Sequence, residues 1–282
     1  PAAALTAKQT MDTLRAQIQD SPLLSPLNWI ETDLLPDVDP GEYFSPPAEG
    51  NVAFLQYTSG STSDPKGVML SHRNLLANLD AIRECFGLST QSKGVIWLPP
   101  YHDMGLIGGV LGPAYVGFPV ILISPYTFLQ RPYRWLQAVS KYRATTTGAP
   151  NFAYELCYRR ITEEQMADID LSSVELAFCG AEPIRAEMID RFSERFAKCG
   201  FRRQAFYPCY GLAEATLMVS GGKKEEAPIV ETIDGEVLEH QGIALQEEDA
   251  TKKQSRKLVG CGTEIPHHKV RIVDPTTFEL CE

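Results

Sequence analysis

Residues 58–67, TSGSTSDPKG, set one lysine among five hydroxyl side chains and two glycines. Glycine lets a backbone approach a ligand closely, and successive N–H groups form a hollow that holds anions. Thr58, Ser59, Ser61, Thr62 and Ser63 add hydroxyl donors, with Gly60 and Gly67 between and beyond them. Lys66 adds a compact positive charge suited to phosphate. The stretch therefore carries the donors that a polyphosphate needs. It is not a Walker A loop, in which the lysine follows the second glycine, because Lys66 precedes Gly67. No G-x-G-x-x-G dinucleotide fingerprint occurs either. On composition alone, a flexible Ser/Gly turn is the plainer alternative.

Four further stretches hold residues able to do chemistry: PPYHDMG (99–105), GAPN (148–151), CGAEP (179–183) and YGLAE (210–214). Glu214 is a hard oxygen ligand of the kind Mg²⁺ takes, or else a first-turn carboxylate favoured by a helix dipole. Asp103 reads as the cap of a helix that begins at Met104. His102 has no second histidine or cysteine at metal-ligand spacing, which argues against zinc. The absence of a G-x-S-x-G elbow argues against a serine hydrolase.

These stretches need elements to hold them. The strand-like runs VAFLQY, VIWL, FPVILI, ATTT, VELAF and QAFY alternate with helix-like segments. The first such helix has Leu75, Leu79, Ile82 and Phe86 at helical spacing; the others fall at 104–115, 132–143, 151–160, 186–198 and 212–218. Strands alternating with helices predict an α/β fold, a doubly wound, mostly parallel sheet with flanking helices. All five chemical stretches would then lie beyond the carboxyl ends of strands, where open α/β sheets bind ligands. Residues 1–50 read as an N-terminal helix and linker, 51–222 as the α/β core, and 223–282 as a charged insertion followed by the start of a β-rich segment. Residues 223–257 carry 15 charges and no aromatic residue. Asp234-Gly235 between alternating apolar residues predicts a hairpin turn there, with 246–257 as a mobile loop. The hairpin would rest on the core through Ile229, Val230, Val237 and Leu238; a solvated excursion without a role is the alternative.

The chain has 282 residues and a formal net charge of −10, which argues against general affinity for nucleic acid or an anionic membrane. Seven cysteines without a C-x-x-C pair read as free thiols in a reducing compartment, the cytoplasm. Residues 104–125 carry no charge, but five glycines and three prolines break the run, so a buried helix, turn and strand are expected rather than a membrane span. There is no signal peptide; the chain begins without methionine and ends in a strand-like run, and reads as a piece of something longer.

YTSGSTSDPKGVMLSH and YGLAE closely resemble the phosphate loop and second core motif of the adenylate-forming superfamily, which includes acyl-CoA synthetases, firefly luciferase and peptide-synthetase adenylation domains. WLPPYHDMGLIGG, GAPNFAYELC, CGAEPI and YGLAEATL resemble its fatty acyl-AMP ligase branch, with Ala213 where many acyl-CoA ligases have threonine. The resemblance runs from about residue 50 to the end. It implies that Thr58 to Gly67, Lys66 included, hold the β- and γ-phosphates of ATP, and that Gly180, Ala181, Glu182 and Pro183 line the adenine side. Tyr210 would stack on the purine, Gly211 would permit close approach, and Glu214 would ligate Mg²⁺. His102 would sit by the acyl carboxylate and α-phosphate, and Gly148, Ala149 and Pro150 would border the acyl tunnel. The implied activity is ATP-dependent formation of an acyl-adenylate from a medium- or long-chain fatty acid, for transfer to the phosphopantetheine arm of an acyl carrier protein, as in polyketide biosynthesis. An acyl-CoA ligase and a non-catalytic scaffold remain the alternatives. The family's ribose-binding aspartate, hinge and small domain with its catalytic lysine would lie beyond residue 282.

Overall fold

The computed structural model describes residues 3–36, 47–58, 66–247 and 254–281. The chain forms two compact units, Pro1–Pro47 and Ala48–Glu282. In the first, β1 (Ala3–Thr6) and β2 (Asn28–Glu31) pair in parallel across α1 (Lys8–Asp20). Asp33 accepts the Lys8 N–H at 2.8 Å, which satisfies one orphan donor of α1.

The second unit opens with β3 (Val52–Thr58) and β4 (Lys66–Ser71), which pair antiparallel, Thr58 opposite Lys66. This corrects the expectation that VAFLQY feeds the parallel sheet. The ribbon buries one side only, through Phe54, Val68 and Leu70, against Leu75, Leu79 and Ile107. Burial on both faces is the mark of a parallel central strand, and β3 lacks it. The lysine-bearing stretch is therefore the connection of a hairpin. Ser59, Gly60, Ser61, Thr62, Ser63, Asp64 and Pro65 lie outside the described residues.

α2 (His72–Phe86) starts from a capping box, Ser71 Oγ accepting the Asn74 N–H and Asn74 Oδ1 accepting the Ser71 N–H. It ends at Gly87, whose φ of 58° suits a residue without Cβ. Then follow β5 (Gly94–Ile96), a π-helical segment (Met104–Leu111), α3 (Gly112–Val116), β6 (Val120–Leu122), α4 (Pro125–Gln130), α5 (Tyr133–Tyr142), β7 (Thr146–Ala149), α6 (Asn151–Arg160), α7 (Glu163–Met166), β8 (Leu176–Cys179), α8 (Ala186–Phe196), β9 (Phe206–Gly211) and β10 (Met218–Gly221). β11 (Val230–Asp234), α9 (Gly235–Gln241), β12 (Ser255–Val259) and β13 (Thr263–Glu264) complete it.

Among the described residues seven strands form the main sheet, in the order β13-β10-β9-β8-β7-β5-β6. β6, β5, β7, β8 and β9 are parallel, and β10 and β13 add antiparallel edges. Adjacent residues of a strand face opposite ways. Phe206 accordingly meets Tyr154 of α6 and Phe192 of α8, while Tyr207 meets Phe86 of α2. The sheet is thus sandwiched, with α5, α6 and α8 on one face and α2, the π segment and α3 on the other.

Three local expectations change. In place of a helix at 212–218 the chain makes one 3₁₀ turn, Ala213–Ala215, and reverses into β10. Asp234-Gly235 is no hairpin turn: Asp234 caps α9 by accepting the N–H groups of Glu236 and Val237 at 2.9 and 3.0 Å, and β11 pairs instead with β12. Residues 255–257, expected in a mobile loop, belong to that pair, while 248–253 lie outside the described residues. Ile233 is buried at 4% exposure, whereas Ile229 stays 64% exposed. Val230, Val237 and Leu238 are half-buried, and Ile233, which the expectation omitted, is the buried one.

Among the described residues no helix is long and apolar enough to cross a membrane; the uncharged run 104–125 is divided among the π segment, α3 and β6. All seven cysteines are free, with Cys157, Cys179 and Cys199 buried.

Candidate active site

The chain leaves β5 for β6 on one side and returns to β7 on the other side of β5. That reversal is the topological switch point at which open α/β sheets place ligands. Three loops gather at this rim: 97–103 after β5, 180–185 after β8 and 212–217 after β9. β7 runs almost directly into α6. The described ends of the fifth chemical stretch, Thr58 and Lys66, belong to the β3–β4 pair and not to the main sheet.

His102 and Asp103 act as a pair. His102 Nδ1 is 2.7 Å from Asp103 Oδ1, and the Met104 N–H donates to the same oxygen at 2.6 Å. Asp103 thus caps the π segment, as the sequence predicts. The Met104 N–H also lies 3.2 Å from His102 Nδ1, so a neutral ring can accept there, whereas the imidazolium donates from Nδ1 to Asp103. This leaves Nε2 as the ring's outward atom. The hydrogen bond to Asp103 is the main cause of a raised His102 pKa, opposed by partial burial and helped by the carboxylate's charge.

After β8, Gly180 runs so close to β9 that a Cβ there would sit 2.8 Å from the Cys209 carbonyl. Ala181 follows with φ of 65°, a left-handed conformation rare for a residue with Cβ. Glu182 accepts the Phe152 N–H at 2.6 Å at the start of α6, and Asn151 accepts the Arg185 N–H at 2.9 Å. Glu182 therefore ties two rim loops together. Pro183 is exposed beside it.

After β9, Tyr210 is 54% exposed, which leaves a ring face open at the rim. At Gly211 a Cβ would lie 1.9 Å from the Leu217 carbonyl, so only glycine admits the return of the chain. The Leu212 N–H donates to that carbonyl at 2.9 Å, and Thr216 turns with φ of 77°. Ala213 is buried and Glu214 is exposed on this turn. Among the described residues no side chain pairs with the Glu214 carboxylate, and no cluster of three His, Cys, Asp or Glu stands ready to cage a metal. Mg²⁺ needs no such cage, since it takes one or two carboxylates and fills its shell with phosphate oxygens and water. A lone exposed carboxylate at the rim fits that requirement.

Below the rim runs a cavity of about 190 Å³. Its mouth is lined by His102, Asp103, Gly180, Ala181, Tyr210 and Gly211. Its walls are Leu79, Ile82 and Phe86 of α2, Gly108 and Gly112, and Thr146 and Phe178 of the sheet, and it reaches Leu88, Gly94 and Phe118. The mouth is polar and the depth apolar, the form of a site for a long chain with a charged head.

Of the residues singled out from sequence, the cavity brings together His102, Gly180, Ala181, Tyr210 and Gly211. Glu182, Pro183, Ala213 and Glu214 lie on the same loops outside its lining, and Thr58, Lys66 and Gly67 lie on the ribbon. Gly148, Ala149 and Pro150 do not line it. Gly148 stands one layer behind: a Cβ there would meet the Phe178 ring at 2.2 Å, and Phe178 forms the wall. Sequence reasoning missed Phe178 and Thr146, which read as ordinary strand residues. It also passed over Asn78, a polar residue on the apolar face of α2 between Leu75 and Ile82; that misfit was a visible signal.

The model of a family described as AMP-binding enzyme matches residues 3–282. A medium-chain-fatty-acid–acyl-carrier-protein ligase of Moorena producens, JamA, is 45% identical over 257 residues, covering 91% of this chain and 43% of that protein. The long-chain-fatty-acid–AMP ligase FadD28 of Mycobacterium tuberculosis is 39% identical over 241 residues, covering 83% of this chain and 41% of its own length. The crystal structure of a fatty acyl-adenylate ligase from L. pneumophila, solved in complex with acyl adenylate and pyrophosphate, superposes with a TM-score of 0.90 at 41% identity, covering 100% of this chain and 48% of that one. The chain thus spans less than half the length of these relatives. The match along nearly the whole chain, on a fold with these loops at its switch point, makes it a member of the AMP-binding enzyme family, with fatty acyl-AMP and acyl-carrier-protein ligases among its near relatives.

Proposed function

We propose that the protein of which this chain is part converts a medium- or long-chain fatty acid and ATP to acyl-adenylate and pyrophosphate, and passes the acyl group to an acyl carrier protein. The observation that carries this reading is the cavity with a polar mouth at His102 and Tyr210 and an apolar depth ending near Leu88 and Phe118. A carboxylate held at the mouth has its hydrocarbon tail between α2, the π segment and the sheet. No enzyme nucleophile is required. The carboxylate attacks the α-phosphorus directly, and the protein supplies alignment and charge neutralisation.

In this reading the imidazolium of His102, held by Asp103 through Nδ1, offers Nε2–H to the oxygens that meet at the reacting phosphorus. Lys66 and the Thr58–Gly67 connection neutralise the departing pyrophosphate. Tyr210 takes the purine against its open ring face, with Gly180, Ala181, Glu182 and Pro183 alongside. Glu214 holds Mg²⁺, which when bound screens the phosphate charge. Seven free thiols, three of them buried, suit a reducing compartment such as the cytoplasm.

The test is ATP–pyrophosphate exchange by the full-length protein across fatty-acid lengths, followed by transfer to a phosphopantetheinylated carrier protein and to free CoA. Exchange with medium or long acids and transfer to the carrier support the reading. Efficient transfer to CoA replaces it with an acyl-CoA ligase, and absence of exchange with any fatty acid overturns it.

A further inference from the structure

The turn that carries Glu214 is an expensive conformation. Thr216 is a β-branched residue at φ 77° and ψ −61°, buried at 6% exposure. Such a residue persists only where its surroundings over-determine it. The turn's own hydrogen bonds, Leu212 N–H to Leu217, Ala215 N–H to Leu212 and Thr216 N–H to Ala213, close it upon itself without attaching it to the rest of the fold. Its ladder to β9 is irregular, with the register shifting between Met218 and Ser220.

Leu217 packs the turn against the core, and the hydrogen-bonded attachment comes from α2. Asn78, 1% exposed, accepts the Met218 N–H on Oδ1 at 3.1 Å and donates from Nδ2 to the Met218 carbonyl at 2.9 Å. Nδ2 also lies 3.5 Å from the Ala215 carbonyl. A primary amide thus pairs with both backbone groups of one residue as a neighbouring strand would, across 140 residues of sequence. Among the described residues it is the one side chain that hydrogen-bonds residues 212–218. Only an amide has a donor and an acceptor side by side without charge. The next residue of α2, Leu79, lines the cavity.

We infer that Asn78 is the positioning residue of the 212–217 turn, holding Glu214 in register with the acyl cavity through the helix that forms the cavity wall. The inference rests on the proposed adenylating activity for its catalytic consequence, but not for its structural one. A role confined to satisfying a buried amide would lower stability without singling out this turn.

The experiment compares full-length protein with Asn78→Leu, with the smaller polar variant Asn78→Ser should the first fail to fold, and with Leu136→Ala in α5 as a control destabilised far from the turn. Two quantities are read: amide hydrogen exchange of residues 212–218 against those of β8, and the Mg²⁺ concentration that half-saturates acyl-adenylate formation. Loss of the paired hydrogen bonds predicts exchange about tenfold faster in the turn but not in β8, and a severalfold higher Mg²⁺ requirement, with neither pattern in the control. Turn exchange equal to that of the parent overturns the inference whether or not the protein proves active. Faster exchange with a Mg²⁺ requirement no different from the control overturns the link to Glu214. If the parent forms no acyl-adenylate, the proposed function fails, and the exchange comparison still decides whether Asn78 holds the turn.

Discussion

The two faces of the parallel sheet are filled by opposite means. Toward α5, α6 and α8 the space is closed by rings: Trp135, Tyr154, Phe192, Phe196 and Phe206 are each at most 1% exposed. Their neighbouring centroids lie 4.5–5.6 Å apart, in tilted and edge-on arrangements that suit aromatic quadrupoles. Their polar atoms are satisfied, Trp135 Nε1 donating to Thr147 Oγ1 at 2.8 Å and Tyr154 OH to the Phe178 carbonyl at 2.8 Å. Toward α2, the π segment and α3, Gly94, Gly108 and Gly112 line the wall and a cavity remains. One face is a rigid platform, and the other keeps its volume for a ligand. The π segment suits the open face, because Gly112 N–H reaches back to Ile107, a five-residue step that widens the helix beside the cavity, a placement common at functional sites.

This contrast can be broken from either side. Trp135→Ala should cost about 3–5 kcal/mol of stability, the range for truncating a fully buried aromatic, seen as a lower denaturant midpoint. The acyl-length preference of the folded protein should not change. A shifted preference would mean that the platform is not independent of the cavity. Gly108→Phe should do the reverse. A Cβ at Gly108 meets only the Leu217 side chain, at 3.5 Å, so the ring has room to enter the channel. Thermal stability should hold while exchange with long fatty acids falls by roughly 10–200-fold, the range for pocket discrimination by one or two methylenes. Short acids should be spared; equal loss for all lengths would separate this cavity from the acyl chain.

The ribbon tests a third part, outside both faces. Lys66→Ala in the full-length protein should slow pyrophosphate exchange by roughly tenfold to a hundredfold, since a hydrogen bond from a charged donor is worth about 1.5–3 kcal/mol. The fold should be intact, as Lys66 is exposed at the start of β4. Unchanged exchange would detach the hairpin connection from the site. The smallest effect concerns His102. Its pKa is raised by the hydrogen bond to Asp103. The stabilisation from that pair is therefore complete below the ordinary histidine pKa of about 6.5, and is lost as pH rises through the raised folded-state value. Asp103→Asn keeps a helix-capping side chain and removes the charge, so the His102 titration followed by NMR should move down toward the ordinary value. A titration that does not move would leave Asp103 as a cap alone.

Much of this site was legible beforehand because its signals are local. PPYHDMG, CGAEP and YGLAE each combine glycine with a polar group next to an apolar run, and all three loops meet at the switch point. A cap such as Asp103 depends on its own turn, so the spacing alone located it. The misreadings share the opposite cause. VAFLQY is an apolar run whichever partner it takes, and its partner proved to be the next strand in the chain, not the central sheet. Asp234-Gly235 is a turn signal for a hairpin and equally a cap followed by a helix; β12, some twenty residues on, decided between them.

What the sequence determined by itself was most of the alternation of strands and helices and the loops that carry donors and carboxylates. These rest on periodicity and on residue types a few positions apart. Tertiary structure alone decided that Gly148 stands behind Phe178 and not in the wall, that a cavity opens beside α2, and that Asn78 reaches across to Met218. Each of those depends on which side chains meet between elements distant in the chain. A residue carries its own shape and charge in the sequence, but the partner that gives them a role is supplied only by packing.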